Sequence, residues 1–122
     1  MKLSSLTPML YTLEMQETIA FYSEILGFQC ATYQEEWGWV SLHCDNIRIM
    51  FSLPNDHLPF TRPTFTGSFY FNTASVEEFY ARIKNKVNLC YPMEDFDYGM
   101  REFAFWDNNG YLLQFGKEIP GT

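Results

Sequence analysis

The chain has 122 residues, which is one domain of ordinary size with room for one hydrophobic core. Its formal charge of −7 argues against a nucleic-acid partner, because an acidic surface repels phosphates. No apolar run is long enough for a signal segment or a membrane span, and Cys30, Cys44 and Cys90 are far apart with no C-x-x-C, so reduced thiols and a cytoplasmic location are expected.

Residues 4–13 are short, apolar and partly alternating, as in a strand. Over 15–28, Met15, Ile19, Tyr22 and Leu26 recur near helical spacing, and Gly27 is a natural stop. Three strand candidates follow, FQCATYQ, WGWVSLHC and IRIMFSL, with Asp45-Asn46 as a tight turn between the last two. Pro54, Pro59 and Pro63 mark residues 54–66 as a linker.

The pattern then restarts. GSFYFNT (67–73) alternates like a strand. Ser75 to Glu78 reads as a capping box ahead of a helical stripe of Val76, Phe79, Tyr80 and Ile83. A poorly regular stretch, NLCYPMEDFDYG, leads into the strands REFAFW and YLLQFGK, with Asp107-Asn108-Asn109-Gly110 as their turn. Phe21-Tyr22 and Asp45-Asn46 find counterparts in Phe79-Tyr80 and Asp107-Asn108. Two matches in one order indicate an internal repeat: module one over about 1–53 and module two over about 67–118. The fold class expected is α+β, a single domain of two tandem βαβββ modules.

Thr18-Ile19-Ala20-Phe21-Tyr22 with Leu26-Gly27-Phe28 resembles the A-x-x-F-Y…L-G-F signature of the vicinal oxygen chelate superfamily, which includes glyoxalase I, extradiol dioxygenases and bleomycin-resistance proteins. Tyr98-Gly99-Met100-Arg101-Glu102-Phe103, running through Asp107–Gly110 to Leu113-Gln114-Phe115, is similar to the family's G-x-R-x-F…D-P-D-G-N…E-F ending. The departures are Asn108 for Pro and Gln114 for Glu. The resemblance implies sheets curled around a cleft, and often a dimer.

It also implies four divalent-metal positions, on the first and last strand of each module. Counting from the Phe-Tyr pairs and the hairpin turns, they fall on Thr7, Met50, Ser68 and Gln114. Hydroxyls, a thioether and an amide do not jointly hold Zn²⁺, Fe²⁺ or Ni²⁺ against water, and a shift of one residue rescues none of them. No metal and no other cofactor is therefore expected, and the resemblance is closest to the metal-free bleomycin-resistance branch.

Strand alternation and the Asp45-Asn46 turn put Trp37, Trp39, Ser41, His43, Arg48 and Met50 on one face of module one, read as a cleft wall. Val40, Leu42, Cys44, Ile47, Ile49 and Phe51 take the other face, toward the helix. The same reasoning places Arg101, Phe103, Phe105, Leu112 and Gln114 on the cleft face of module two, with Ser68, Tyr70 and Asn72. Candidate ligand-binding residues are thus Trp37, Trp39, Ser41, Tyr70, Arg101, Phe103 and Gln114.

Each has a plainer reading. The tryptophans also suit packing between modules or subunits, Arg101 a partner for Glu94, Asp95 or Asp97, and His43 a solvated hairpin end. Ser41 and His43 are neighbours, but no Asp is spaced to orient that His, so no catalytic triad is indicated. The leading reading is a metal-free homodimer that sequesters an aromatic or cationic small molecule. The alternatives are a metal-dependent glyoxalase- or dioxygenase-type enzyme and a purely structural module.

Overall fold

A computed structural model describes residues 1–121, and the chain divides into two compact units, Met1–Arg62 and Pro63–Thr122. The boundary falls inside the proline-bearing linker.

In the first unit β1 (Met9–Tyr11) precedes α1 (Met15–Glu24), β2 (Gln29–Gln34), β3 (Trp39–Cys44) and β4 (Ile47–Ser52). These strands form one mixed sheet in the order β1-β4-β3-β2, with β1 parallel to β4. Helix α1 buries Met15, Thr18 and Tyr22, at the spacing that keeps one face on the sheet. Tyr22 lies edge-on to Phe28 and Phe51, at 5.7 and 5.1 Å between centroids. Gly27, at φ 75°, ends the helical stretch in the left-handed region that a side chain would strain.

The second unit repeats this plan with β5 (Phe69–Asn72), α2 (Val76–Ile83), β6 (Asn88–Asp95), β7 (Met100–Trp106) and β8 (Leu112–Glu118), in sheet order β5-β8-β7-β6. The fold is therefore α+β, with the two modules predicted from the repeat. The correspondence extends to register: Met9 pairs with Met50 and Met50 with Ser41, as Tyr70 pairs with Gln114 and Gln114 with Ala104.

Three local expectations change. The stretch read as poorly regular is an eight-residue strand, β6, whose two register shifts around Tyr91 obscure its alternation. The capping box does not form. Ser75 makes no side-chain cap, and its own N–H instead donates to Thr73 Oγ1 at 3.2 Å. In β1, only Met9–Tyr11 of residues 4–13 are strand, so Thr7 precedes the sheet.

Candidate functional site

In module one the two-residue Asp45-Asn46 turn pairs Cys44 with Ile47, His43 with Arg48 and Ser41 with Met50, as expected. Val40, Leu42, Ile49 and Phe51 are fully buried beneath α1. The helix-facing row loosens at the hairpin end, where Ile47 is exposed and Cys44 half-buried. Desolvation and the adjacent Asp45 carboxylate push the Cys44 thiol up, which keeps it protonated and unreactive.

The opposite face of β3 and β4 carries Trp39, Ser41 and Met50. Ser41 is buried, and its hydroxyl has no hydrogen-bond partner among the described residues. Trp37 does not belong to this face. It sits in a 3-10 turn (Glu35–Trp37) and is 74% exposed. Gly38, at φ 61°, interrupts the alternation on which its placement rested.

Module two departs further. The β7–β8 connection includes Tyr111, so Trp106 pairs with Leu112, Phe105 with Leu113, Ala104 with Gln114 and Phe103 with Phe115. Asp107 Oδ1 organises the longer turn by accepting from the backbone N–H groups of Asn109, Gly110 and Tyr111 at 2.8–2.9 Å. One extra residue in the loop moves β7 to the other face relative to β8.

Phe103 and Phe105 therefore face α2. Phe103 is fully buried and packs on Phe79, Tyr80, Phe105 and Phe115. Arg101 lies on the same side, bound to Glu77 of α2 at 2.7 Å and to Asp95 of β6 at 2.7 and 3.1 Å. Neither Phe103 nor Arg101 is on the face assigned to it from sequence. The plainer reading of Arg101, a partner for the acidic run, holds for Asp95.

Lys117 joins the cluster through Glu77, also at 2.7 Å. The Lys117 and Arg101 hydrogen bonds hold the Glu77 carboxyl down at about 2, against an ordinary 4.5. A depressed carboxyl supports the fold above its unfolded value, and that support drains away as pH falls toward 2. Glu77→Gln is thus expected to flatten the acid limb of the stability curve between about pH 4.5 and 2 while leaving its neutral limb parallel to wild type. Urea midpoints measured at half-unit pH intervals check this.

With β7 placed correctly, the face away from α2 presents Glu102 beside Tyr70, Tyr91, Gln114 and Ser68. Glu102 is 1% exposed. Tyr70 donates to its Oε1 at 2.8 Å, and Tyr91 donates to its Oε2. The Gln114 amide donates to Tyr91 Oη at 2.9 Å and more distantly to Glu102 Oε2 at 3.5 Å. Ser68 Oγ closes the chain by donating to Gln114 Oε1. Burial, with the bonds to Glu102, pushes both tyrosine hydroxyls up, so they remain donors across the neutral range. For Tyr91 the Gln114 donor opposes part of that rise.

Of the seven candidate residues, Tyr70 and Gln114 come together in this network, and Trp39 and Ser41 share a face of module one. Glu102 and Tyr91 were missed. A usable signal was present: Phe103, Phe105, Leu113 and Phe115 form a uniformly apolar row, the criterion that placed the core face of module one.

Thr7, Met50, Ser68 and Gln114 are the positions that the resemblance assigns to a metal. Ser68 and Gln114 are in contact, and Met50 lies at the equivalent place on β4, its N–H donating to Pro8 O next to Thr7. The donors present do not fit a divalent transition metal. Gln114 turns its oxygen to Ser68, and both Glu102 oxygens accept from tyrosines. Among the described residues, no three His, Cys, Asp or Glu side chains gather as a metal group.

Among the described residues no helix is long and apolar enough to cross a membrane. No curated protein matches the chain. Among solved structures it is similar to TioX from Micromonospora sp. ML1, with TM-score 0.76, 17% identity, and coverage of 95% of this chain and 99% of that one. It is similar to a lactoylglutathione lyase from Agrobacterium tumefaciens, with TM-score 0.70, 17% identity, and coverage of 93% and 92%. It is also similar to an integron cassette protein from the mobile metagenome of V. cholerae, with TM-score 0.70, 21% identity, and coverage of 96% and 97%. At these identities the likeness establishes the fold. The model of the Glyoxalase/Bleomycin resistance protein/Dioxygenase superfamily matches residues 5–115, nearly the whole chain, and the protein therefore belongs to that superfamily.

Proposed function

We propose that this protein is a metal-independent member of its superfamily that sequesters an aromatic or cationic small molecule, acting as a homodimer in the cytoplasm. The observation that carries the reading is the Ser68–Gln114 contact. Two of the four positions that hold the ion in metal-using relatives here satisfy each other and feed the tyrosine–Glu102 network. Such a closed hydrogen-bond chain favours binding over Lewis-acid chemistry, because displacing it by a metal leaves buried polar groups unpaired. Within module two, Tyr70 and Tyr91 supply ring surface, and neutral hydroxyl and amide groups supply orientation, a mixture suited to small-molecule recognition.

The second reading, a metal-dependent enzyme, draws on the similarity to a protein named lactoylglutathione lyase. One experiment separates the two. Purified protein is incubated with Zn²⁺, Ni²⁺, Co²⁺, Mn²⁺ and Fe²⁺, desalted, and assayed for metal. In parallel, tryptophan fluorescence is titrated with planar neutral and planar cationic compounds, with and without EDTA. The expected result is less than about a tenth of an ion per chain and saturable binding indifferent to EDTA. One tightly held ion per chain, or fluorescence that stays flat across the panel, overturns the proposal.

A further inference from the structure

We infer that the face of module two away from α2 is a receptor for a quaternary or alkylated ammonium group, with the buried Glu102 as its anionic floor and Tyr70, Tyr91, Phe96 and Tyr98 as its aromatic walls. This rests on the small-molecule reading above and narrows it to a cationic ligand bound at a named place.

The first support is a charge imbalance. Glu102 is buried, and all its hydrogen-bond partners are neutral hydroxyl or amide donors. Its cross-strand neighbour on β6 is a second carboxylate, Glu94, and like charges directly opposite repel. The two basic side chains of the same sheet, Arg101 and Lys117, are committed to Glu77 and Asp95 on the helix side. Among the described residues no ion pair reaches Glu102. A buried carboxylate compensated only by dipoles gains more from an arriving cation than an exposed one does, since less water screens the attraction.

The second support is the arrangement of rings. Tyr91 and Phe96 meet nearly at right angles, 77° at 5.5 Å between centroids. Phe96 and Tyr98 stack at 5.4 Å and 14°. Tyr98 is 65% exposed on the β6–β7 turn, an outward position that apolar burial alone does not explain. Its hydroxyl is pushed up by desolvation and by Glu102, which places it within the influence of the same carboxylate. Ring faces beside a negative charge attract an ammonium group through the ring quadrupoles, and the Tyr70 and Tyr91 rings are tethered to Glu102 by their hydroxyls. Both Glu102 oxygens already accept from tyrosines, so the fit favours a methylated ammonium, which offers charge and no N–H, over a primary amine.

The test uses two soluble isosteres, 4-(trimethylammonio)benzyl alcohol and 4-tert-butylbenzyl alcohol, titrated into the full chain by calorimetry and followed by shifts of the tyrosine and phenylalanine ring resonances. The expected result is at least tenfold tighter binding of the cation. Glu102→Gln is expected to abolish that preference while leaving the neutral compound within twofold. Tyr98→Leu, at a site 65% exposed, is expected to weaken the cation at least threefold and the neutral compound little. It carries the test if Glu102→Gln does not fold. Equal binding of the two compounds, or a cation affinity unchanged in Tyr98→Leu, overturns this inference but leaves sequestration standing. Binding of neither compound, together with stoichiometric metal uptake, overturns both.

Discussion

Phe103→Ala is expected to cost about 3–5 kcal/mol of stability, the range for removing a large aromatic side chain from a close-packed core. Phe103 has no exposed surface, and its ring touches Phe79 and Tyr80 of α2 as well as Phe105 and Phe115 on the same sheet. Truncation empties the centre of that cluster, and neighbours held by strand pairing on both sides cannot collapse into the gap. A ring lining a ligand surface behaves differently: its loss weakens binding and leaves the fold nearly as stable. Urea denaturation monitored by circular dichroism separates the two, with a shifted midpoint and an unchanged slope marking lost core packing. A midpoint within experimental error of wild type, with ligand affinity lost, would return Phe103 to the open face.

Gly116→Val is expected to cost about 2–3 kcal/mol, in the range for overpacking, and to detach Tyr70 from Glu102. A Cβ at position 116 would collide with Tyr70 Oη and stand 2.9 Å from Glu102 Cβ. The Tyr70 hydroxyl is the end of a partly exposed side chain and can swing away, giving up its 2.8 Å bond to Glu102. The Glu102 Cβ is fixed to the backbone of a central strand, so that contact strains the β7–β8 pairing itself. Removing the tyrosine should therefore recover part of the loss. The double variant Tyr70→Ala/Gly116→Val is expected to be less destabilised than the sum of its parts, a non-additivity that contact between the two sites requires. Strict additivity in urea midpoints would mean that position 116 does not shape the Tyr70–Glu102 contact.

Gly116 also accounts for part of the path from sequence to site. Its cross-strand neighbours Asn72 and Glu102 lie where Tyr70 crosses β8, and only a residue without a side chain admits the phenol over the strand. Nothing local in YLLQFGK announces that role, because the obstructing atoms come from β5 and β7. The same holds for Glu102. In the sequence it is one acid between Arg101 and Phe103, and its burial follows from Tyr70, 32 residues earlier, and Tyr91, 11 residues earlier, closing on it.

What the amino-acid sequence determined by itself was the repeat: hydrophobic periodicity, Gly27 and the two turn signals are local properties, and they specified two βαβββ modules, to which the resemblance of Thr18–Phe28 and Tyr98–Phe115 added the family. Counting along the chain gave the four positions that the resemblance assigns to a metal, but Thr7 and Ser68 precede β1 and β5 rather than lying on them. Only the tertiary structure decided which face of β7 meets the helix. That choice depends on whether Tyr111 belongs to the turn or the strand, a difference of one residue that Asp107 settles through three backbone hydrogen bonds. With a side-chain period of two, one residue suffices to exchange Phe103 and Arg101 for Glu102. A shift of one residue brings no strong metal ligand to Thr7, Met50, Ser68 or Gln114, whereas it reverses the face of β7.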